Sequence, residues 1–502
     1  MNIAVALEMA AECHPERVAI RSGGRNVTYG ELHRAARAAA EKIREARVQR
    51  VGLLDTNGLA APIALFGAAF AGVPYVPMNY RLTKDEIEAL LRRISPALVV
   101  VGDAVTASLV IPDGIRTVPS ETFYRDALAA SPSTLVAPGA PNDVAIQIFT
   151  SGTTGKPKAA VLRHENVMSY ILGTVEFASA AVEDSILISV PPYHIAGISA
   201  VLSSTYAGRR MVQLPNFDPQ AWLQLCRDER VTNAFVVPTM LSRIVDQLGA
   251  HDAGARPSSL RAIAYGGGKM PLGVIEQAIK HFPDVDFTNA YGLTETSSTI
   301  CLLGPDDHRS GMASDDPLIR RRLTSVGKPV PTVELQVRGE HGEVLGPGEP
   351  GELFVRGAQV AGEYLEQGSL LDPDGWFPTR DRGSVDEFGF VYLEGRADDV
   401  IVRGGENISP GEIEGVLLEH PAVADAACVA VPDREWGESV GAVLVLKAGA
   451  AIQAAELQDW VKQRLRSSRV PTTIRFVDEL PYNEMGKVLR RVLKLQFAQA
   501  PA

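Results

Sequence analysis

The segment Thr150-Ser-Gly-Thr-Thr-Gly-Lys-Pro-Lys158 follows directly on the apolar run Val144-Ala-Ile-Gln-Ile-Phe149. The apolar run reads as a buried strand that opens into glycines and hydroxyls. Gly152 and Gly155 let the backbone curl so that successive N–H groups face one point. Thr150, Ser151, Thr153 and Thr154 add hydroxyl donors, and Lys156 and Lys158 add positive charge. Such a loop suits a polyphosphate. A P-loop is rejected, because it needs four residues between its first glycine and Gly-Lys, then Ser or Thr at the head of a helix. Here two residues separate Gly152 from Gly155, and Pro157 follows Lys156. The dinucleotide fingerprint fails too, since no glycine pair opens a helix at the required spacing. On this segment alone a solvated turn stays open.

The same stretch resembles the phosphate loop of the adenylate-forming superfamily, which includes acyl-CoA synthetases, peptide-synthetase adenylation domains and firefly luciferase. Further matches to that family follow in order along nearly the whole chain.

Composition sets outer bounds. A chain of 502 residues, 46% hydrophobic and 22% charged, is an ordinary globular protein of more than one domain. The net charge of −11 argues against a broad nucleic-acid-binding surface. Cys13, Cys226, Cys301 and Cys428 lie far apart without a CxxC pair, which fits a reducing cytoplasm and neither a zinc site nor a disulfide framework. The N-terminus lacks the basic leader of a signal peptide. Thr56 to Tyr80 carries no charge, yet its prolines and glycines divide it into a buried helix ending at Gly72 and a following strand, not a membrane span.

Strand and helix patterns alternate from the start. Thr28 with Glu31 forms a capping box, Thr83 is a cap, and Arg50–Leu54 and Ala97–Val101 read as buried strands. This predicts an α/β layered fold. Gly102 to Asn142 reads as loops and short strands. After the phosphate loop, Arg261-Ala-Ile-Ala-Tyr-Gly-Gly-Gly-Lys269 is a strand ending in three glycines, which permit a flat ligand on bare backbone. The resemblance places adenine there, at Gly267 and Gly268. The family's usual Gly-Gly-Ala-Pro is replaced, and Lys269 is a departure. In Asn289-Ala-Tyr-Gly-Leu-Thr-Glu295, Tyr291 offers an aromatic face, Thr294 a hydroxyl and Glu295 a hard oxygen ligand for Mg²⁺. Asn289 and Gly292 are counted with the nucleotide site.

From Ser325 onward short strands and Gly-rich turns predict a small β subdomain over about 325–395. Within it, Asp381 matches the family's ribose-binding aspartate, with Arg380 where the family has glycine. In Gly395-Arg-Ala-Asp-Asp-Val-Ile-Val-Arg-Gly-Gly-Glu406 the resemblance assigns Arg396 to the nucleotide, Asp398 to a hinge, and Gly404, Gly405 and Glu406 to the channel of an incoming thiol. Lys487, after Pro-Tyr-Asn-Glu-Met-Gly, matches the family's C-terminal catalytic lysine. His194, in Pro-Pro-Tyr-His-Ile-Ala-Gly, closes the family's acyl pocket, with Val236 and Ser297 as further lining residues.

The resemblance implies a large N-terminal domain of two layered β-α sheets plus a small barrel-like β subdomain (1–397), and a small mobile α+β lid (398–502). It implies a carboxylic acid, ATP, Mg²⁺ and coenzyme A as reactants, with an acyl carrier protein as the alternative acceptor. The acid is expected to be a medium- or long-chain fatty acid, with an aryl acid as the alternative. A nucleotide-binding regulator without activity is the reading from another class. Intact Lys487, Glu295 and Asp381 argue against it.

Overall fold

Thr28 and Thr83 begin the helices Tyr29–Glu45 and Lys84–Ile94. Each hydroxyl accepts the N–H of the glutamate three residues on, and that glutamate accepts the cap's own N–H. Such caps are worth about 0.5–2 kcal/mol each. The helix Ala60–Ala71 is buried on nearly every face and ends at Gly72, whose φ of +77° is the left-handed conformation glycine adopts freely. Gly67 lets it close on Tyr29–Glu45, since a Cβ there would lie 3.1 Å from the Ala39 methyl. Among the described residues no helix is long and apolar enough to cross a membrane.

The computed structural model describes the chain except residues 103–108, 132, 151–156, 250–255, 397–398, 405, 484–487 and 499–502, and the side chains of 407 and 498. The chain forms two compact units: Met1–Glu334 with Val355–Phe377, and Leu335–Phe354 with Pro378–Ala502.

The first unit holds two mixed sheets. One runs in the order Lys328–Pro329, Ser298–Leu303, Asp286–Leu293, Ala262–Gly266, Asn233–Val236, Ser185–Ile188, Arg210–Gln213, Val18–Ser22, Arg25–Thr28. From Asp286–Leu293 to Val18–Ser22 every neighbouring pair is parallel. The other runs Gly368–Ser369, Glu363–Tyr364, Lys158–Arg163, Val144–Thr150, Tyr75–Pro77, Arg50–Leu54, Ala97–Val101, Ile115–Pro119. Helices Ile3–Cys13, Tyr29–Glu45, Ala60–Ala71 and Ile195–Ala207 contribute to one apolar core with strands of both sheets. Crossover helices between parallel strands are what the alternating pattern requires. Within Gly102–Asn142 the helix Ser120–Ala129 forms, which the loop reading omitted.

The second unit holds most of a sheet in the order Glu334–Arg338, Gly351–Arg356, Phe377–Val385, Val391–Arg396 and a second sheet built on the hairpin Val423–Asp433 and Gly437–Leu446. The sequence reading grouped 325–395 with the N-terminal domain. By compactness most of that sheet groups with the C-terminal module, because Val391–Arg396 abuts the helix Pro410–Leu418. A Cβ on Gly411 would meet the Glu394 carbonyl at 2.3 Å, and the Ser409 hydroxyl donates to the same carbonyl at 2.6 Å.

Candidate functional site

Val144–Thr150 pairs antiparallel with Lys158–Arg163, with Thr150 opposite Lys158. The segment that follows the candidate loop is therefore a strand and not a helix, unlike the helix that a P-loop opens. Ser151, Gly152, Thr153, Thr154, Gly155 and Lys156 lie outside the described residues. The base of the hairpin is held by Arg93, whose guanidinium donates to the Pro157 carbonyl at 2.7 Å, pairs with Glu366 and lies 4.7 Å over the Phe149 ring.

Ala262–Gly266 runs parallel to Asp286–Leu293. Two glycines here serve packing. A Cβ on Gly266 would sit 2.1 Å from the Ala290 carbonyl, and one on Gly292 would sit 1.8 Å from the Ser298 carbonyl. Gly267, with φ +84°, and Gly268 are both exposed. Lys269 is exposed beside them. Tyr291 is mostly buried at a bulge in its strand. Asn289 is buried and donates to the Ser325 carbonyl at 3.2 Å, so its amide braces the strand.

Thr294 and Glu295 lie on the 3₁₀ turn Thr294–Thr296. The turn is fastened from behind. The Thr296 hydroxyl donates to Ser298 O at 2.8 Å, and the buried Gln359 amide donates to Thr296 O and Thr299 O at 3.2 and 2.8 Å. Ser297 and Ser298 follow with φ of +58° and +119°, conformations that cost an L-residue and collect at functional turns. The Tyr364 hydroxyl donates to Glu295 Oε1, and the N–H groups of Ala361 and Gly362 donate to the Glu295 carbonyl at 2.9 and 3.0 Å. The Lys158 ammonium stands 5.5 Å from the Tyr364 ring. Glu295, Lys158 and Tyr364 thus come together. Mg²⁺ is typically held by one or two carboxylates plus substrate phosphates and water, not by a protein cage. A partly exposed carboxylate, oriented by a phenol, fits that demand. Among the described residues no group of three metal-binding side chains forms an alternative site.

His194 caps the helix Ile195–Ala207, with its ring 4.5 Å from that of Tyr193, which in turn stands 5.6 Å from Tyr80. His194 Nε2, Tyr193 Oη and Ser297 Oγ are buried without a hydrogen-bond partner among the described residues. Burial, helped by Arg81, pushes the His194 imidazole down to about 4, so it is neutral at pH 7. The cavity at this helix's first turns, lined by Pro62, Leu65, Ile198 and Gln213 among others, measures about 20 Å³. That is room for about one water.

In the second unit Asp381 and Arg396 are opposite each other across neighbouring strands, 3.3 Å apart. Arg380 has φ +61°. The backbone keeps the left-handed turn that glycine would make and accepts the strain. Gly404, with φ +57°, packs under Trp436: its N–H donates to Trp436 O at 2.8 Å, and a Cβ would strike the indole at 2.7 Å. Glu406 pairs with Arg469, whose hydrogen bond holds its carboxyl below the usual range. Asp398, Gly405 and Lys487 lie outside the described residues. The flanks of 484–487 are pinned: Tyr482 bridges to Val488, and Leu489 N–H donates to Pro481 O at 2.7 Å. Arg490 pairs with Glu414 at 2.6 Å and Asp399 at 3.3 Å.

Sequence reasoning missed Tyr364, Arg93, Gln359 and Arg490. Only Arg490 had a signal, its place three residues after Lys487. The others act across long sequence separations from positions without a motif.

A large unit of two mixed α/β sheets with a smaller unit that includes the C-terminal residues is the architecture of an adenylate-forming enzyme. The AMP-binding enzyme family profile matches residues 7–365, and the AMP-binding enzyme C-terminal domain profile matches 412–487. The chain belongs to the AMP-binding enzyme family, in the acid–thiol ligase class. It is 33% identical to a 2-succinylbenzoate–CoA ligase of Bacillus licheniformis, over 97% of this chain and 98% of that one. It is 32% identical to the fatty acid–[acyl-carrier-protein] ligase ScoC of Streptomyces coeruleorubidus, over 97% and 95%. Among solved structures, the o-succinylbenzoate CoA synthetase MenE of Bacillus subtilis, in complex with the acyl-adenylate intermediate OSB-AMP, matches with a TM-score of 0.83 and 30% identity over 97% of each chain.

Proposed function

We propose that this enzyme joins a carboxylic acid to coenzyme A at the expense of ATP, through an enzyme-bound acyl-adenylate. The observation that carries the reading is the meeting of Glu295, Tyr364 and Lys158 at the foot of the phosphate hairpin. It puts an oriented carboxylate beside a cationic strand end. In the first step a carboxylate oxygen attacks the α-phosphorus and pyrophosphate leaves. Two anions must meet, so charge neutralisation dominates that barrier. Residues 150–158 cradle the leaving pyrophosphate, the Thr294 hydroxyl donates to the α-phosphate, and Glu295 is the carboxylate for Mg²⁺. Mg²⁺, when bound, supplies positive charge to the phosphate oxygens. Tyr291 and the backbone at Gly267 and Gly268 take the adenine, and Asp381 accepts the ribose hydroxyls, with Arg396 beside it. Lys487 neutralises the attacking carboxylate. In the second step the thiol attacks the acyl carbon and AMP leaves. We assign Gly404, Gly405 and Glu406 to the thiol's path, and residues 398–502 to a lid that turns about Asp398.

For the acid we favour an aryl acid over a medium- or long-chain fatty acid. Tyr80, Tyr193 and neutral His194 form an aromatic cluster in which Tyr193 Oη and His194 Nε2 are buried without a hydrogen-bond partner among the described residues, and the 33% identical relative is a 2-succinylbenzoate–CoA ligase. Similarity to the fatty acid–[acyl-carrier-protein] ligase keeps the fatty acid and carrier-protein reading as the second. ATP–pyrophosphate exchange with a panel of aryl and fatty acids, then thioester formation with coenzyme A or a carrier protein, tests both. Exchange with no acid would leave only a nucleotide-binding role.

A further inference from the structure

We propose that Tyr364 is a positioning residue of the first half-reaction, fixing the Glu295 carboxylate and registering it against the strand that leaves the phosphate loop. This rests on the proposed role of Glu295 toward Mg²⁺.

Glu295 sits on a single 3₁₀ turn, so its side chain has little local support. Among the described residues its carboxylate has no arginine or lysine within ion-pair distance. What orients it is the segment 361–365. The N–H groups of Ala361 and Gly362 hold the Glu295 carbonyl, and the Tyr364 phenol holds Oε1. A phenol hydrogen-bonded to an ionised carboxylate can only donate, so the bond fixes one oxygen and leaves Oε2 for a cation.

The same tyrosine belongs to the phosphate side. Glu363–Tyr364 pairs antiparallel with Lys158–Arg163, Tyr364 opposite Ala160, and the Leu365 N–H donates to Ala159 O at 2.9 Å. The Lys158 ammonium faces the Tyr364 ring. One residue therefore touches both the metal-side carboxylate and the loop's outgoing lysine. Its phenol sets the separation of two groups that must grip one triphosphate. A residue that only filled space would need the ring and not the hydroxyl.

Tyr364→Phe keeps the ring under Lys158 and removes the hydroxyl. Removing a partner that orients a metal ligand typically weakens the metal about 10–100-fold. Binding of Mn²⁺ to the enzyme with a non-hydrolysable ATP analogue, read by electron paramagnetic resonance, should weaken by about tenfold or more. The Mg²⁺ needed for half-maximal pyrophosphate exchange should rise by a similar factor, and thioester formation from preformed acyl-adenylate should stay within about twofold of wild type. Glu295→Asp draws the carboxylate away from the phenol and keeps its charge. It should lose a comparable factor, and the double variant should be no worse than either single one. Unchanged Mn²⁺ affinity, fully additive losses, or equal loss in both half-reactions with a lowered melting temperature would each overturn the proposal. Wild-type protein that exchanges with no acid would instead overturn the functional reading, while the Mn²⁺ titration still reads on Tyr364.

Discussion

Arg490→Met tests how the lysine loop is anchored. The Arg490 side chain is 17% exposed and that of Glu414 is 9%. The guanidinium grips both carboxylate oxygens, at 2.6 and 3.1 Å, and also pairs with Asp399 at 3.3 Å. Methionine fills much of the volume but leaves the Glu414 carboxylate buried and, among the described residues, held only by the Cys428 N–H at 2.7 Å. Breaking one side of a buried pair costs about 3–5 kcal/mol. If the hairpin Val423–Asp433 and Gly437–Leu446 opens with its unit, its amide exchange should accelerate by at least about 10², since 1.36 kcal/mol is a factor of ten. Hydrogen exchange read by mass spectrometry resolves those strands from Val144–Arg163 in the first unit, which should not change. Replacing both partners, Arg490→Met with Glu414→Leu, removes the stranded carboxylate and should restore most of the protection. Protection within about threefold of wild type in the single variant would refute the reasoning. So would a double variant no better than the single.

Three further outcomes are expected. Lys487→Ala should lower acyl-adenylate formation by about 10²–10³, the usual loss for one transition-state charge partner, and nearly spare thioester formation from synthetic adenylate; equal loss in both steps would mark the lysine as structural. Asp398→Pro fixes φ near about −65° and should leave pyrophosphate exchange near normal with thioester formation down about tenfold; wild-type rates in both would place the hinge elsewhere. His33, His164 and His194 are all pushed down by burial to about 4, from 6.5. Between those values the unfolded chain binds the extra protons, so their contribution is whole above pH 6.5 and is lost as pH falls toward 4. Denaturation midpoints should drop across that window, and a midpoint that stays level would contradict it.

Local chemistry made much of this legible. The capping box at Thr28, the cap at Thr83, the stop at Gly72 and the strand before Thr150 depend on neighbouring residues, and they form as read. At Gly266 and Gly292 the strand packing by itself forbids a side chain, a reason the sequence did not show. Arg380 departs from the glycine of the family pattern yet takes glycine's conformation, which no propensity would assign to it. Tyr364 was invisible because its meaning lies 69 residues away, in a contact with Glu295 that only the sheet's strand pairing creates.

The chain passes between its two units three times, at residues 334–335, 354–355 and 377–378. Genetic exchange cuts a gene at one point, and no single cut here delivers a whole second unit. A recombinant joined near Ala397 would carry over the lysine loop but leave behind Leu335–Phe354 and Pro378–Arg396, the strands that bear Asp381 and Arg396. The reading frame would be intact, yet the graft would pair a foreign module with a host sheet it never evolved against. Successful shuffling should therefore favour crossovers that carry the insertion 335–354 together with everything after residue 377.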